Sequence, residues 1–355
     1  LTRALSPRGA DDEVIDLAGN DYLGLARHPV VTEAAAAAAL TWGAGAGASR
    51  LVTGSLDLHA ELEWLLADYL EQPACLVFST GYHANLSAVC AMVDRDSLVI
   101  SDAHIHASLI DAVRLSRADL VVVDHNDVAA VERALYEAQG RRTMVLAESV
   151  YSVLGDAAPL VELADLCAES GALLLVDEAH GLGVHGPGLV HRSGLAGRPH
   201  VLVTATLSKA LGSQGGAVLG DPTVIEHLVN RARPFIFDTA LAPPATGGAL
   251  AALHELRARP ELSECVQRRG RDLAVALGVE PSVGAVLSVP MPSPHVAVAA
   301  QAAARAQGVR VGCFRPPSVP DGISRLRITV SAGVPDADWA RAVDVLVAVV
   351  KEHTG

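Results

Sequence analysis

An α/β fold, with a mostly parallel sheet covered by helices and a smaller α+β part at its C-terminal end, is predicted by three observations. Several short segments are apolar throughout, as strands buried on both faces must be. Stretches of helical periodicity alternate with them, which calls for crossover connections and a parallel sheet. Towards the C-terminus one segment alternates strictly between apolar and polar residues, the pattern of a strand with two unlike faces.

In chain order, "VTEAAAAAALTW" (31–42) is alanine-rich and suits a helix. "GAGAGASRLVTGS" (43–55) reads as a loop whose glycines permit positive φ. "HAELEWLLADYL" (59–70) sets Leu62, Leu65, Leu66, Tyr69 and Leu70 at helical spacing. "CLVF" (75–78) is a strand, followed by "TGYHAN" (80–85) and a helical run. "TMVLAES" (143–149) is a buried strand, and "PLVELADLCAESG" (159–171) a helix with Pro159 in its first turn and Gly171 at its end. "ALLLVD" (172–177) and "HVLVTAT" (200–206) are further apolar strands. In such sheets ligands bind beyond the carboxyl ends of the strands. Those ends carry Glu148–Ser152, Asp177–His180 and Thr206–Lys209, so three polar clusters converge on one edge. Further on, "RPPSVPDG" (315–322) leads into "SRLRITVS" (324–331), with Leu326, Ile328 and Val330 on one face and Arg325, Arg327, Thr329 and Ser331 on the other. The expected division is an N-terminal segment (1–35), a large domain (36–250) and a small C-terminal domain (251–355).

Bulk properties narrow the function. The 355 residues, half of them apolar, suffice for a sizeable core. A formal net charge of −13 makes a poor general binder of nucleic acid or anionic membrane, so neither is expected as a partner. No apolar stretch approaches the length of a transmembrane helix. "LTRALSPRG" has no apolar run like a signal peptide, and because the first residue is Leu1 rather than Met, an upstream segment is expected. Cys75, Cys90, Cys167, Cys265 and Cys313 form no CxxC pair, supporting neither a zinc site nor a disulfide framework. They read as buried free thiols of a reducing cytoplasm.

Three tempting motifs fail. "GLGVHG" (181–186) has the glycine spacing of a dinucleotide loop, but "DEAH" separates it from its strand and Pro187-Gly188 follows where a helix should open. "DEAH" (177–180) echoes a helicase box, yet no phosphate-binding G-x-x-x-x-G-K-[ST] loop accompanies it. "HIH" (104–106) lacks further ligands at suggestive spacing, so no metal is expected.

One feature remains unexplained by these. Of the basic residues only Lys209 and Lys351 are lysines, and Lys209 lies in "ATLSKALGSQGG" (205–216) among small residues. A lysine amine becomes a nucleophile when burial or nearby cations favour its neutral form. An imine to the aldehyde of pyridoxal 5′-phosphate (PLP) uses such an amine. PLP also needs an acid for its pyridine nitrogen, a phosphate cup of N–H and hydroxyl groups, and a flat side chain on its ring. Asp177 at a strand end, the N–H groups of Gly81 and Tyr82, and His106 in "DAHIHAS" offer all three. Taken singly, each also reads as an ordinary cap, turn or polar residue.

Taken in order, "NDYLGL" (20–25), "GASRLVTGS" (47–55), "TGYHAN", "DAHIHAS", "VDEAHGLGVHG", "TLSKALGSQGG", "RPPSVP" and "RLRIT" resemble the α-oxoamine synthases over essentially the whole chain. These are fold-type I PLP enzymes that condense an amino acid with an acyl thioester and release CO2. "CFRPPSVP" before "SRLRIT" is most similar to the branch that joins L-alanine to a pimeloyl thioester in biotin biosynthesis, on coenzyme A or a carrier protein. Branches that use glycine with acetyl or succinyl thioesters share the other motifs, and a non-catalytic regulatory subunit of the same fold is a reading from a different class. The resemblance makes Lys209 the Schiff-base lysine and general base. It gives the phosphate to Thr206, Gly81 and Tyr82, the pyridine nitrogen to Asp177, and the ring hydroxyl to His180 and Ser152. His106 stacks on the ring and touches substrate, Arg327 takes the amino-acid carboxylate, and Asn20, Ser318 and Arg3 line the substrate pocket. Thr239 reaches a phosphate across the interface of a homodimer. Glu178 and His104 have no role in this scheme. The small residues around Lys209 are expected to let the cofactor lie close to the backbone.

Overall fold

The computed structural model describes residues 7, 9, 12–138 and 140–354. Among them are strands β1 (Ile15–Leu17), β2 (Ala74–Phe78), β3 (Leu98–Asp102), β4 (Asp119–Val123), β5 (Thr143–Glu148), β6 (Leu173–Asp177), β7 (Val201–Thr206), β8 (Gly216–Gly220), β9 (Val286–Pro290), β10 (Val309–Phe314) and β11 (Arg325–Thr329). Seven of them form one sheet in the order β2-β8-β7-β6-β5-β3-β4. Only β8 runs against its neighbours, so the sheet is mostly parallel, as expected.

Strand pleating explains why the central segments are apolar at every position. Val145 and Ala147 of β5 enter one apolar cluster, while Met144 and Leu146 enter a second on the opposite face. Helices cover both. The helix Leu160–Ser170 lies where periodicity places it and ends at Gly171 in the left-handed conformation (φ 69°). The alanine-rich helix spans Pro29–Trp42, with Pro29 in its first turn. Among the described residues no helix is long and apolar enough to cross a membrane.

A second sheet has the order β1-β10-β11-β9. Here β1 pairs in parallel with β10, Ile15 opposite Val309. The N-terminal segment thus adds a strand to the C-terminal sheet. Val286, Val309, Val311, Leu326 and Ile328 of this sheet share one apolar cluster with a face of the large sheet.

Three readings change. Residues 43–55 are not loop throughout, because Arg50–Gly54 makes a helical turn. Arg50 anchors it with a bidentate pair to Glu63 (2.7 and 3.1 Å), a long-range contact that local glycine content conceals. On β11 the polar face is as buried as the apolar one: Arg325, Arg327 and Thr329 are all at most 6 % exposed. Finally, only Cys75 and Cys167 are buried; Cys265 and Cys313 are half-buried and Cys90 is exposed. The run around Cys90 is helical, as expected, and its solvent side carries that thiol.

Beyond β4, His125 ties the edge of the sheet to the loop after β5. Its Nδ1 lies 3.0 Å from Asp102 Oδ1 and its Nε2 lies 2.7 Å from Asp156 Oδ2. The His104 ring lies 4.6 Å from that of His125. Burial alone would lower the His125 pKa, but the two carboxylates outweigh it and raise it to about 9. A histidine raised in the folded state stabilises fully below its unfolded pKa, and that contribution fades as pH rises through about 9. His125→Gln is therefore expected to cost roughly 2 kcal/mol near pH 6.5 and much less near pH 10. Denaturant melts at both pH values check this; an equal cost at both would show that the ion pairs contribute nothing.

Candidate active site

The parallel strands end together, and register sets their last residues side by side: Glu148 of β5 opposite Asp177 of β6, and Asp177 opposite Thr204 of β7. Beyond this edge is a cavity of about 270 Å³. It is lined by Gly81, Tyr82, His106, Asp177, His180, Thr206 and Lys209, all singled out in the sequence, together with Thr80, Asn85, Ser108, Glu148, Ala179, Thr204, Ala205 and Ser208.

One end of the cavity has the features of an anion cup. Thr80 caps the helix Gly81–Met92, its side chain accepting from His83 N, and the N–H groups of Gly81 and Tyr82 fall in the first turn, where intrahelical acceptors do not exist. Thr206 Oγ1 and Ser208 Oγ stand 2.8 Å apart beside it. The backbones meet closely: a Cβ on Gly216 would come within 2.5 Å of Gly81 Cα. This alters the reading of "ATLSKALGSQGG". Of its small residues only Ala205 and Ser208 line the cavity. Gly212 instead takes φ 60° and packs on Leu25–Ala26, where a Cβ would meet Ala26 N at 2.3 Å. Gly212 and Gly216 thus permit close backbone packing, while Gly215, at φ 126°, fits against the Leu207 and Leu241 side chains.

At the centre, Asp177 Oδ1 accepts from Ala179 N (2.8 Å) and Oδ2 accepts from Asn85 Nδ2 (2.8 Å). The second hydrogen of Asn85 Nδ2 goes to Ser108 Oγ, also at 2.8 Å. Ser108 Oγ therefore donates its own hydrogen to His106 Nδ1 (2.8 Å), which fixes the His106 hydrogen on Nε2. Ser108 N also donates to Nδ1 (3.2 Å), which leaves that nitrogen without a hydrogen, and burial, assisted by Lys209 and opposed by Asp177, holds the His106 pKa below its ordinary value.

Lys209 Nζ lies 2.9 Å from His180 Nε2. An ammonium only donates, so when charged it makes Nε2 the acceptor and puts the His180 hydrogen on Nδ1, 2.7 Å from Tyr22 Oη. Tyr22 then donates to Asn20 Oδ1 (3.1 Å), which also accepts from both terminal nitrogens of Arg327 at 3.3 Å. Burial drives the Lys209 pKa down to about 8; Asp177 and Glu148 oppose this and Arg327 assists it. Burial, with the charges of Lys209, Arg327 and His106, also holds His180 well below its usual value. The amine thus loses its proton far more readily than an exposed lysine, and a minor neutral fraction, as a nucleophile and base require, is present near physiological pH.

Asn20 and Arg327 meet Lys209 through this chain rather than in the cavity lining. Arg327 Nε donates to the Ser152 carbonyl (2.7 Å), and Ser152 N donates to Glu148 Oε2 (3.0 Å), so Ser152 sits between the two sheets. Thr239 and Ser318 are exposed and outside the cavity; Thr239 lines a separate hollow with Arg50 and Ser79. Arg3 lies outside the described residues. Glu178 turns away, accepting from Ser149 Oγ and Val190 N at 2.6 Å, and so secures the "GLGVHG" turn instead of the cavity.

Sequence reading assigned no role to Tyr22, Asn85, Ser108 or Glu148. Each sat within or beside a quoted motif. Two signals were available: Glu148 ends a buried strand beside the other polar clusters, and Asn85 is one helical turn beyond Gly81 and so faces the same way.

A family model described as aminotransferase class I and II matches residues 12–346. The chain is 53 % identical over 355 residues to the 8-amino-7-oxononanoate synthase of Mycolicibacterium gilvum, covering 99 % of this chain and 93 % of that one. It is 53 % identical to the same enzyme of Mycobacterium leprae, covering 99 % and 92 %. Among solved structures, a serine palmitoyltransferase variant from S. paucimobilis with bound PLP superposes with a TM-score of 0.91 at 30 % identity, over 96 % of this chain and 88 % of that one. The 8-amino-7-oxononanoate synthase of Francisella tularensis shares the fold, with a TM-score of 0.82 at 24 % identity, over 96 % and 99 %.

Proposed function

The chain belongs to the class I and II aminotransferase family, with the type I fold of PLP enzymes, and from that premise we propose that it is a PLP-dependent acyltransferase. It joins L-alanine to a pimeloyl thioester with loss of CO2, the reaction of an 8-amino-7-oxononanoate synthase in biotin formation. The observation that carries the reading is the buried, pKa-lowered amine of Lys209 facing a carboxylate, an imidazole and an anion cup in one cavity. Buried polar atoms that make no hydrogen bond of normal length, Asn85 Oδ1, Glu148 Oε1 and Thr204 Oγ1, fit a cavity that receives a polar group.

Bound there, PLP supplies an electron sink for negative charge on the substrate α-carbon. Lys209 would hold it covalently, and its Nζ, when free, would take the α-proton of the substrate. Asp177, oriented by Asn85 and Ala179 N, keeps a proton on the pyridine nitrogen. Gly81, Tyr82 and Thr206 bind the phosphate, and His180 and Ser152 the ring hydroxyl. His106 would cover the ring, with its Nε2–H free to donate. Arg327 binds the alanine carboxylate. It is buried and, among the described residues, makes no ion pair, which leaves its charge for a ligand. Asn20, Ser318 and Arg3 complete the substrate pocket.

The active form is a homodimer, with Thr239 donated across to the neighbour's phosphate. Leu51, Val52, Trp64 and Phe237 are all more than half exposed, apolar area that a second copy would cover. The five free cysteines suit a reducing cytoplasm.

A substrate matrix tests the reading: alanine, glycine or serine against pimeloyl, acetyl, succinyl and palmitoyl thioesters, scored by thiol release and product mass. Alanine with the pimeloyl thioester is expected to dominate kcat/KM; dominance of any other pair overturns it.

A further inference from the structure

Glu148 is the cavity group that the proposed reaction leaves without a task. It is 2 % exposed at the end of β5. Its Oε2 accepts from Ser152 N at 3.0 Å, while Oε1 is buried and makes no hydrogen bond of normal length. On the next strand Asp177 stands opposite in register, and both its oxygens accept N–H groups. Asp177 therefore has no hydrogen to offer Glu148, and two adjacent buried carboxylates do not both hold charge without cost.

We propose that Glu148 rests as the neutral carboxylic acid and donates the hydrogen on Oε1 to an oxygen of the bound cofactor–substrate pair, which makes it a catalytic residue. This rests on the function proposed above. The acceptor is an oxygen bearing negative charge, either the ring oxygen of PLP or the thioester carbonyl oxygen as the new C–C bond forms. The hydrogen stays on Glu148 throughout, so the α-proton taken by Lys209 remains available for the departing thiolate. A fixed donor of this kind is most effective where water is excluded. Burial, and then Asp177, push the Glu148 pKa far above the carboxylate range, against Lys209 and the N–H groups of Ser152 and His106. The titratable groups facing it are Asp177, Lys209, Tyr22 and Tyr151.

The test compares Glu148→Gln, which keeps a donor of the same shape, with Glu148→Met, which removes it. In the infrared difference spectrum of the purified protein without substrate, wild type minus Glu148→Gln is expected to show a carboxylic-acid carbonyl band at pH 7 that fades as pH rises past about 8. A carboxylate band at pH 7 overturns the proposal. This measurement needs no turnover, so it fails or succeeds apart from the substrate matrix. Glu148→Gln is expected to stay within a few-fold of wild type in kcat, and Glu148→Met to lose about 10²-fold. Borohydride attachment of PLP to Lys209 in both variants shows that the site is intact. A visible absorption change in Glu148→Met before substrate is added assigns the ring oxygen as acceptor; an unchanged spectrum with lowered kcat assigns the thioester oxygen. Equal losses in Gln and Met, or none in Met, overturn the donor role.

Discussion

Lys209→Arg abolishes turnover and leaves borohydride with nothing to fix. Arginine keeps the charge but cannot form the covalent bond to the cofactor, and its guanidinium does not lose a proton near neutral pH. The expected loss in kcat is about 10⁴-fold, the upper end for a positioned proton-transfer group. The chain makes this test unusually clean, because Lys351 is the only other lysine. After reduction of wild type, a peptide mass map can place the added cofactor on one of two side chains. Attachment to Lys351, or activity in Lys209→Arg, sinks the assignment. In the protein stripped of PLP, the rate at which PLP attaches to Lys209 is also expected to rise with pH towards about 8, as the free amine loses the proton that burial already weakens. An attachment rate flat from pH 6 to 9 would mean that burial does not tune this amine.

Asp177→Asn is expected to lower kcat on the order of 10³-fold while PLP still attaches to Lys209. The amide fills the same space, but it has no charge with which to hold a proton on the pyridine nitrogen. The damage should spread to His106. Asn85 donates one hydrogen to Asp177 and the other to Ser108, and Ser108 sets the His106 tautomer. An amide that turns its NH2 towards Asn85 breaks the first link, so KM for the acyl thioester should rise as well. Unimpaired catalysis would remove Asp177 from the mechanism.

Local pattern carried much of this. The buried strands are apolar at every position because both sheet faces are covered, and that is visible without tertiary information. Residues at strand ends, Asp177, Thr206 and Lys209, were legible because a parallel sheet sends its carboxyl ends to one edge. What stayed hidden depends on contacts across long separations. The helical turn at Arg50 is held by Glu63, and the link from Tyr22 to His180 joins different regions of the chain. The buried polar face of β11 could not be read from alternation, which marks two unlike faces but not which of them meets solvent. Glu148 looked like any strand-end acid, since its protonation follows from where Asp177 sits beside it.

The pairing of β1 with β10 bears on the order in which the molecule forms. Asp16 and Arg310, neighbours across that pairing, are 294 residues apart, and Asn20 and Arg327 are 307 apart. Contacts of such separation close late, because loop entropy must be overcome before they reward folding. On a ribosome the large sheet and its lysine emerge well before β10 and β11 exist. Asn20 and Tyr22 therefore wait, beside β1, for the last part of the chain. A nascent chain arrested before β10 should take up PLP yet leave His180 without the fixed tyrosine that orients it, so cofactor capture would precede substrate recognition during synthesis.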